Sequence, residues 1–272
     1  MSKKLIDIER VIGNKNPKLL IWLPKFIINY LKKLLHQEEI NKIIEDNENT
    51  FDTEFCQAVV DTFKIKLEVI GLDNMPANGG CIVAANHPLG GMDAMAIVSA
   101  VSPIRKDVKF VVNDVLLHLT NLKNLFVGMN KFGSTSKGAL QSINDLFSSN
   151  NAVFIFPSGL VSRKKNGIIK DTEWKKTFIT QAKKHQKPIV PIYIEGNLSN
   201  RFYRISNFRK WLGIKINFEM IFLADEMFKQ TNKTVRIVIG EAIMPNELDQ
   251  DKTDRALAQK IKEKVYSLAK KL

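Results

Sequence analysis

The chain has 272 residues, 44% hydrophobic and 25% charged, a composition that excludes a disordered or fibrous protein. Its formal net charge is +13, so an anionic partner is expected: an acidic membrane surface, an acidic carrier protein or nucleic acid. Two cysteines, with no Cys-x-x-Cys and no His-x-x-x-His, argue against a disulfide framework and against a metal site, and suit a reducing compartment. The opening Met1-Ser2-Lys3-Lys4-Leu5 lacks the apolar core of a signal peptide, which predicts a cytoplasmic location.

Residues 1–63 form a helical region. Between Leu19 and Leu35 the chain is at its most membrane-like, but Lys25, Lys32 and Lys33 interrupt the apolar run a spanning helix requires. After Pro24, Phe26, Ile27, Tyr30, Leu31, Leu34 and Leu35 recur at helical spacing opposite a basic face. This pattern suits a helix lying in a membrane interface or one packed on the protein's own core, and both readings stay open. Glu38 to Thr62 reads as helix and leads into an alternating strand over Lys64 to Ile70.

Cys81 to Ala85 suits a buried strand that halts at Asn86-His87-Pro88. A Pro-Leu-Gly-Gly turn follows, and Asp93 opens the apolar segment Ala94 to Val101. Gly90 and Gly91 permit a tight return, so Asp93 can accept from one imidazole nitrogen of His87 and leave the other free as a general base. The plainer alternative makes Asp93 an ordinary helix cap. Position favours chemistry, because sites form at the carboxyl ends of strands in open α/β sheets.

Further strands are predicted at Val108 to Val112, Leu125 to Met129, Ala152 to Phe156, Ile189 to Glu195 and Thr234 to Ile239. Helices between them are predicted at Ser134 to Phe147, Glu173 to His185 and Thr253 to Leu272. The alternation specifies an α/β sandwich with a largely parallel sheet. Three later stretches carry candidate binding groups. Asn130-Lys131 precedes a helix start rich in small hydroxyl residues, with Lys137 nearby, a plausible phosphate site. Phe156-Pro157-Ser158-Gly159 is a strand exit followed by Arg163, Lys164 and Lys165, of which Arg163 suits an anion and the lysines a solvated loop. Pro191, inside Val190-Pro191-Ile192, marks an irregular place in a strand. Beyond it, Arg201 to Leu212 interleaves cations with aromatics, as in an interfacial membrane patch or an RNA-binding surface.

Taken together, these stretches resemble the lysophospholipid acyltransferase superfamily, closest to its bacterial hemolysin-like and aminolipid O-acyltransferase branch. The resemblance covers about Lys64 to Ile243, on Asn86-His87 through Asp93, Met129-Asn130-Lys131, Phe156-Pro157-Ser158-Gly159 and Val190-Pro191-Ile192, in that order. It implies a glycerol-3-phosphate acyltransferase-like sandwich over residues 64–272, with the N-terminal helices as a membrane-associating annex. His87 is then the catalytic base and Asp93 its partner, while Asn86, Lys131, Ser158, Gly159 and Arg163 bind substrate. Five residues separate His87 from Asp93 where four are common, Lys131 replaces a frequent arginine, and Ser158 replaces the glutamate of Phe-Pro-Glu-Gly. The implied reaction moves a fatty acyl group from acyl carrier protein or coenzyme A to a lysolipid hydroxyl at the cytoplasmic face of a membrane, as a peripheral protein. No bound cofactor, metal or nucleic acid is implied. A non-catalytic lipid-binding protein of the same fold is the alternative, with an RNA-binding module behind it.

Overall fold

The computed structural model describes residues 6–112, 119–128 and 137–272. The N-terminal helices are α1 (Ile8–Lys15), α2 (Pro17–Trp22), α3 (Lys25–Leu34) and α4 (Gln37–Asp46), followed by α5 (Asp52–Thr62). The helical stretch expected from Glu38 to Thr62 is therefore broken after Asp46. Strand β1 (Lys66–Ile70), β2 (Cys81–Ala85), α6 (Gly91–Val101), β3 (Val108–Val112), β4 (Phe126–Gly128), α7 (Lys137–Ser148) and β5 (Ala152–Ile155) come next. The chain continues through β6 (Arg163–Lys165), β7 (Ile168–Lys170), α8 (Thr177–His185), β8 (Ile189–Ile194), α9 (Asn200–Trp211), α10 (Leu223–Phe228), β9 (Thr234–Ile239) and α11 (Asp254–Ser267).

Among the described residues, seven strands form one mixed sheet in the order β1-β9-β8-β2-β5-β3-β4, with β2 at its centre. Every pairing in it is parallel except β8 with β9. All five residues of β2 are buried, as a strand covered on both faces requires. One core cluster joins α5 and α6 to one face of the sheet, through Phe55, Cys56, Val59, Ile97 and Val101. A second, around Trp174, Phe178, Leu257 and Ile261, joins α8 and α11 to the other. Burying a side chain such as Ile82 or Phe154 contributes about 1.5–3 kcal/mol, so two continuous layers hold β2 rigidly.

Pro191 stands where the β8–β9 ladder is interrupted, between an isolated Ile189–Ile243 bridge and the Ile192–Ile239 pair. A residue without an N–H fits that gap, and its carbonyl accepts from Gly240 at 2.9 Å. The hairpin β6–β7 was not expected. It forms because Asn166 (φ 49°) and Gly167 (φ 80°) both adopt the left-handed conformations of a two-residue turn.

The N-terminal helices pack against the body beside α10. The His36 ring stacks on Phe228 with centroids 4.0 Å apart, and its Nε2 lies 3.4 Å from Asp225 Oδ1. His36 is thus a packing residue. In α3, Ile28 and Leu34 are buried while Phe26 and Tyr30 face outward. Of the expected stripe, Leu34 is buried, Ile27, Leu31 and Leu35 are half-buried, and the aromatic Phe26 and Tyr30 are exposed, while Ile28, outside that stripe, is buried. Among the described residues no helix is long and apolar enough to cross a membrane.

Candidate active site

The site lies where the central strand stops. In register, Ala84 of β2 stands beside Ile155 of β5, and Ala85 beside Ile192 of β8. His87, three residues past Ala84, and Phe156, one past Ile155, therefore leave the ends of neighbouring strands. Asn86 closes the strand end: its amide Nδ2 donates to the Ile194 carbonyl at 2.8 Å and its Oδ1 accepts from the Ile194 N–H at 2.7 Å. That amide ties β2 to β8 directly behind the histidine.

The turn from His87 to Asp93 is shaped by Gly90, whose φ of 68° a side chain would resist. Gly90 occupies the cap position of α6, so the plainer capping role for Asp93 does not describe it. Asp93 sits in the first turn of α6, where the helix dipole favours a carboxylate, and reaches back over the turn. Its Oδ2 lies 2.8 Å from His87 Nδ1 and accepts from the Leu89 N–H at 2.9 Å. Its Oδ1 is buried with no hydrogen-bond partner among the described residues. Leu89 is held in turn by Gly196, because a Cβ there would fall 2.5 Å from Leu89 Cδ2.

Asp93 is fully buried, whereas the His87 side chain keeps 18% of its surface exposed. Burial pushes the Asp93 carboxyl above its usual range, and the His87 ring and Leu89 N–H oppose that shift. An anion so short of solvation is stabilised when a positive charge forms on the ring beside it. The ring plane is set by Phe156, stacked on it at 4.0 Å with 12° between planes. The backbone is set by the β6–β7 hairpin: His87 N–H donates to Asp171 Oδ1 at 3.2 Å, and its carbonyl accepts from Ser162 N–H at 2.8 Å. With Nδ1 committed to Asp93, the ring edge carrying Nε2 is the part left to meet a substrate. Such an arrangement can take a proton from a hydroxyl and return it to a leaving group.

The other residues singled out in the sequence are distributed around this centre. Ser158 is buried in the Phe156–Gly159 turn, its hydroxyl donating to the Leu160 carbonyl at 2.6 Å. Gly159 has φ 66°, and its N–H donates to the Phe156 carbonyl at 2.9 Å. Arg163 is buried: its Nη2 donates to Glu219 Oε1 at 3.0 Å and its guanidinium lies over the Phe202 ring. Glu219 also faces Arg209, at 2.8 Å, so Arg163 is tied up inside the protein in a carboxylate shared by two guanidiniums. Lys131 lies outside the described residues, as do Met129 and Asn130. The site thus gathers Asn86, His87, Asp93, Ser158 and Gly159 around the ends of β2 and β5, with Arg163 behind them.

Sequence reasoning missed Ser162, Asp171, Trp174 and Tyr266, which back the histidine from the hairpin and α11. It also missed Lys175, an exposed cation whose Nζ lies 3.3 Å from where a Gly159 Cβ would stand. The Asn166-Gly167 dipeptide between basic residues was the available signal for the hairpin. Among the described residues, no group of three or more His, Cys, Asp or Glu side chains could hold a metal ion.

Known proteins share this organisation. A family model described as "Acyltransferase" matches residues 10–272. A "Lyso-glycine lipid O-acyltransferase" of Phocaeicola vulgatus is 40% identical over 265 residues, covering 97% of this chain and 95% of that protein. A protein of the same description from Bacteroides thetaiotaomicron is 38% identical over 265 residues, covering 97% of both chains. The crystal structure of the 1-acyl-sn-glycerophosphate acyltransferase PlsC from Thermotoga maritima has the same fold at 16% identity, with a TM-score of 0.50 over 90% of this chain and 97% of that one. Matched over nearly its whole length by the family model and by two O-acyltransferases, this chain belongs to the acyltransferase family and is an O-acyltransferase.

Proposed function

We propose that the enzyme esterifies the free hydroxyl of a lysolipid, with a lyso-glycine lipid as the acceptor, using a fatty acyl thioester as donor. The observation that carries this reading is the 2.8 Å contact between His87 Nδ1 and a buried Asp93, at the end of the central strand. His87 Nε2 takes the acceptor's hydroxyl proton as the oxygen attacks the thioester carbonyl. The C–O bond forms and the C–S bond breaks, and the imidazolium returns its proton to the departing thiolate. Asp93 holds the tautomer that exposes a lone pair on Nε2 and stabilises the imidazolium while it exists.

The acceptor's anionic end is met by Lys175 beside the Phe156–Gly159 turn, and Lys131, outside the described residues, is assigned the same role from its place in the sequence. Ser158 and Gly159 shape that turn against the acceptor. Asn86 and Arg163 serve binding indirectly, by fixing the strand end and the loop on which those groups stand. Acyl carrier protein is the favoured donor over coenzyme A, because the chain's charge of +13 suits an acidic protein. Exposed aromatics on α2, α3 and α9, flanked by lysine and arginine, suit peripheral attachment to an anionic membrane.

The test is product formation by purified protein given acyl carrier protein or coenzyme A thioesters and a panel of lysolipids, read by mass spectrometry. Acylated glycine lipid formed by the parent, with a loss of about 10²–10⁴-fold in a folded His87→Ala variant, is the expected result. Undiminished transfer by that variant rejects the base, and transfer only to other lysolipids rejects the acceptor.

A further inference from the structure

The strand β2 ends at Ala85, so no ladder holds the backbone of His87. Two groups from the base of the β6–β7 hairpin take the place of one. Ser162 immediately precedes β6, Asp171 immediately follows β7, and the Arg163–Lys170 pairing sets them side by side. Asp171 is buried, and its carboxylate collects three donors: His87 N–H at 3.2 Å and Ser162 Oγ at 2.6 Å on Oδ1, and Trp174 Nε1 at 2.9 Å on Oδ2. Its main chain is anchored too. The Asp171 N–H donates to the Tyr266 hydroxyl at 2.7 Å, and Lys262 Nζ donates to the Asp171 carbonyl at 2.8 Å and that of Thr172 at 3.0 Å.

We propose that Asp171 is a positioning residue for acyl transfer, gripping the His87 peptide so that Nε2 stays aimed at the acceptor hydroxyl. The proposal rests on reading His87 as the base. Asp93 and Phe156 can fix the rotation of the imidazole, but neither can fix the Cα from which it hangs. Pro88 restricts the His87 backbone to extended conformations without locating it. The remaining freedom is removed by Asp171 on the N–H side and by Ser162 N–H on the carbonyl side. Both come from one hairpin buttressed by α11, so His87 is located by a part of the chain about eighty residues away. Displacing a catalytic group by about 1 Å costs on the order of 10²-fold in rate, which is the size of effect this grip guards against.

The experiment compares Asp171→Asn and Ser162→Ala with the parent and with His87→Ala, in the full chain. In Asp171→Asn the NH2 must face a donor, either Trp174 Nε1 or the His87 N–H, and the oxygen that remains is a neutral, weaker acceptor, so the grip is weakened with little change in volume. The expected result is a kcat lowered about 10²-fold with KM for the acceptor unchanged. Ser162→Ala frees the carboxylate from the hydroxyl but keeps the Ser162 N–H on His87, and kcat is expected to fall several-fold, again with KM unchanged. A purely structural role would instead lower the thermal midpoint and the active fraction, and the active fraction, titrated separately, would account for the whole loss. Parent-like kcat per active site in folded Asp171→Asn overturns the proposal; if that variant does not fold, parent-like kcat in Ser162→Ala overturns it. Activity retained by His87→Ala would instead reject the base itself.

Discussion

The imidazole of His87 and the ring of Phe156 lie face to face, 4.0 Å between centroids and 12° from parallel, although 69 residues separate them in sequence. Phe156 also touches Phe110, at 5.4 Å, so the plane of the base is handed on from the sheet's aromatic packing. A stack of this kind is worth about 0.5–1.5 kcal/mol beyond area burial. Phe156→Leu keeps most of the apolar volume but gives no flat surface. Its kcat is expected to fall about tenfold with the thermal midpoint little changed, since about 1.4 kcal/mol of lost orientation corresponds to tenfold in rate. Steady-state kinetics alongside thermal melts check it, and an unchanged kcat would remove the ring's orienting role.

Asp93 joins activity and stability with opposite signs. Burial raises its carboxyl above the ordinary range, so the native state binds that proton more tightly than the unfolded chain does. Its stabilising contribution is full below the unfolded value and is lost as pH rises through the folded one. At neutral pH the ionised, buried carboxylate therefore weighs against folding. In Asp93→Asn the change falls on the Oδ2 position, which serves both His87 Nδ1 and the Leu89 N–H. A neutral oxygen there cannot stabilise the imidazolium, and an NH2 there faces the Leu89 donor and moves the ring proton onto Nε2, so the base is lost either way. We expect kcat to drop about 10⁴-fold while the thermal midpoint at neutral pH rises, the rise vanishing once the medium is acid enough to protonate Asp93 in both states. Melts across pH decide it: a lower midpoint at neutral pH contradicts the argument.

The pair His87–Asp93 was legible in the sequence because its geometry is local: six positions, two glycines and a strand-to-helix change define it. The alternation of strands and helices likewise fixed a mostly parallel sandwich, and Pro191 marked its ladder interruption. What could not be read was whatever depends on distant partners. The reversal of β9 against β8 leaves no trace in hydrophobic spacing, since a strand's alternation carries no direction. Arg163 looked like an anion contact because nothing nearby opposes its charge; its counterion, Glu219, lies 56 residues on. Asp171 follows a basic hairpin and has no partner within reach in sequence except Trp174, so its place behind the histidine emerges only in three dimensions.

Glu219 is buried between Arg163, at 3.0 Å, and Arg209, at 2.8 Å, with the Ser206 hydroxyl donating to it at 3.3 Å. Burial lowers the pKa of the Arg163 guanidinium, and Glu219 opposes that shift. Removing the one anion leaves two enclosed cations side by side, and an uncompensated charge of this kind costs about 3–5 kcal/mol. Glu219→Ala should therefore unfold at distinctly lower urea concentration than the parent. Arg163→Met should lose less, because Glu219 keeps Arg209. Equal losses in the two variants would show that the cluster does not act as a charge triad.

Trp22, Phe26 and Tyr30 follow one another at four-residue spacing, and all three stand exposed, Trp22 by 80% and Phe26 by 72%. Phe208 and Trp211 of α9 also stack on each other at the surface beside an apolar groove of about 550 Å³, lined by Ile205, Phe208, Phe218 and Ile221. Exposed rings with lysine and arginine between them gain by entering the boundary between headgroup and acyl chain, where a lysolipid acceptor resides. Withdrawing one such side chain from water is worth about 1.5–3 kcal/mol. Replacing Trp22 and Phe26 together by serine should then weaken binding to anionic phosphatidylglycerol vesicles by about tenfold or more. The circular dichroism spectrum and the transfer rate to a short-chain, monomeric acceptor should stay as in the parent. High salt should weaken the parent's binding without abolishing it, because screening removes the lysine contribution and leaves the apolar one. Vesicle co-sedimentation measures both, and full binding by the double variant would assign membrane attachment to some other surface.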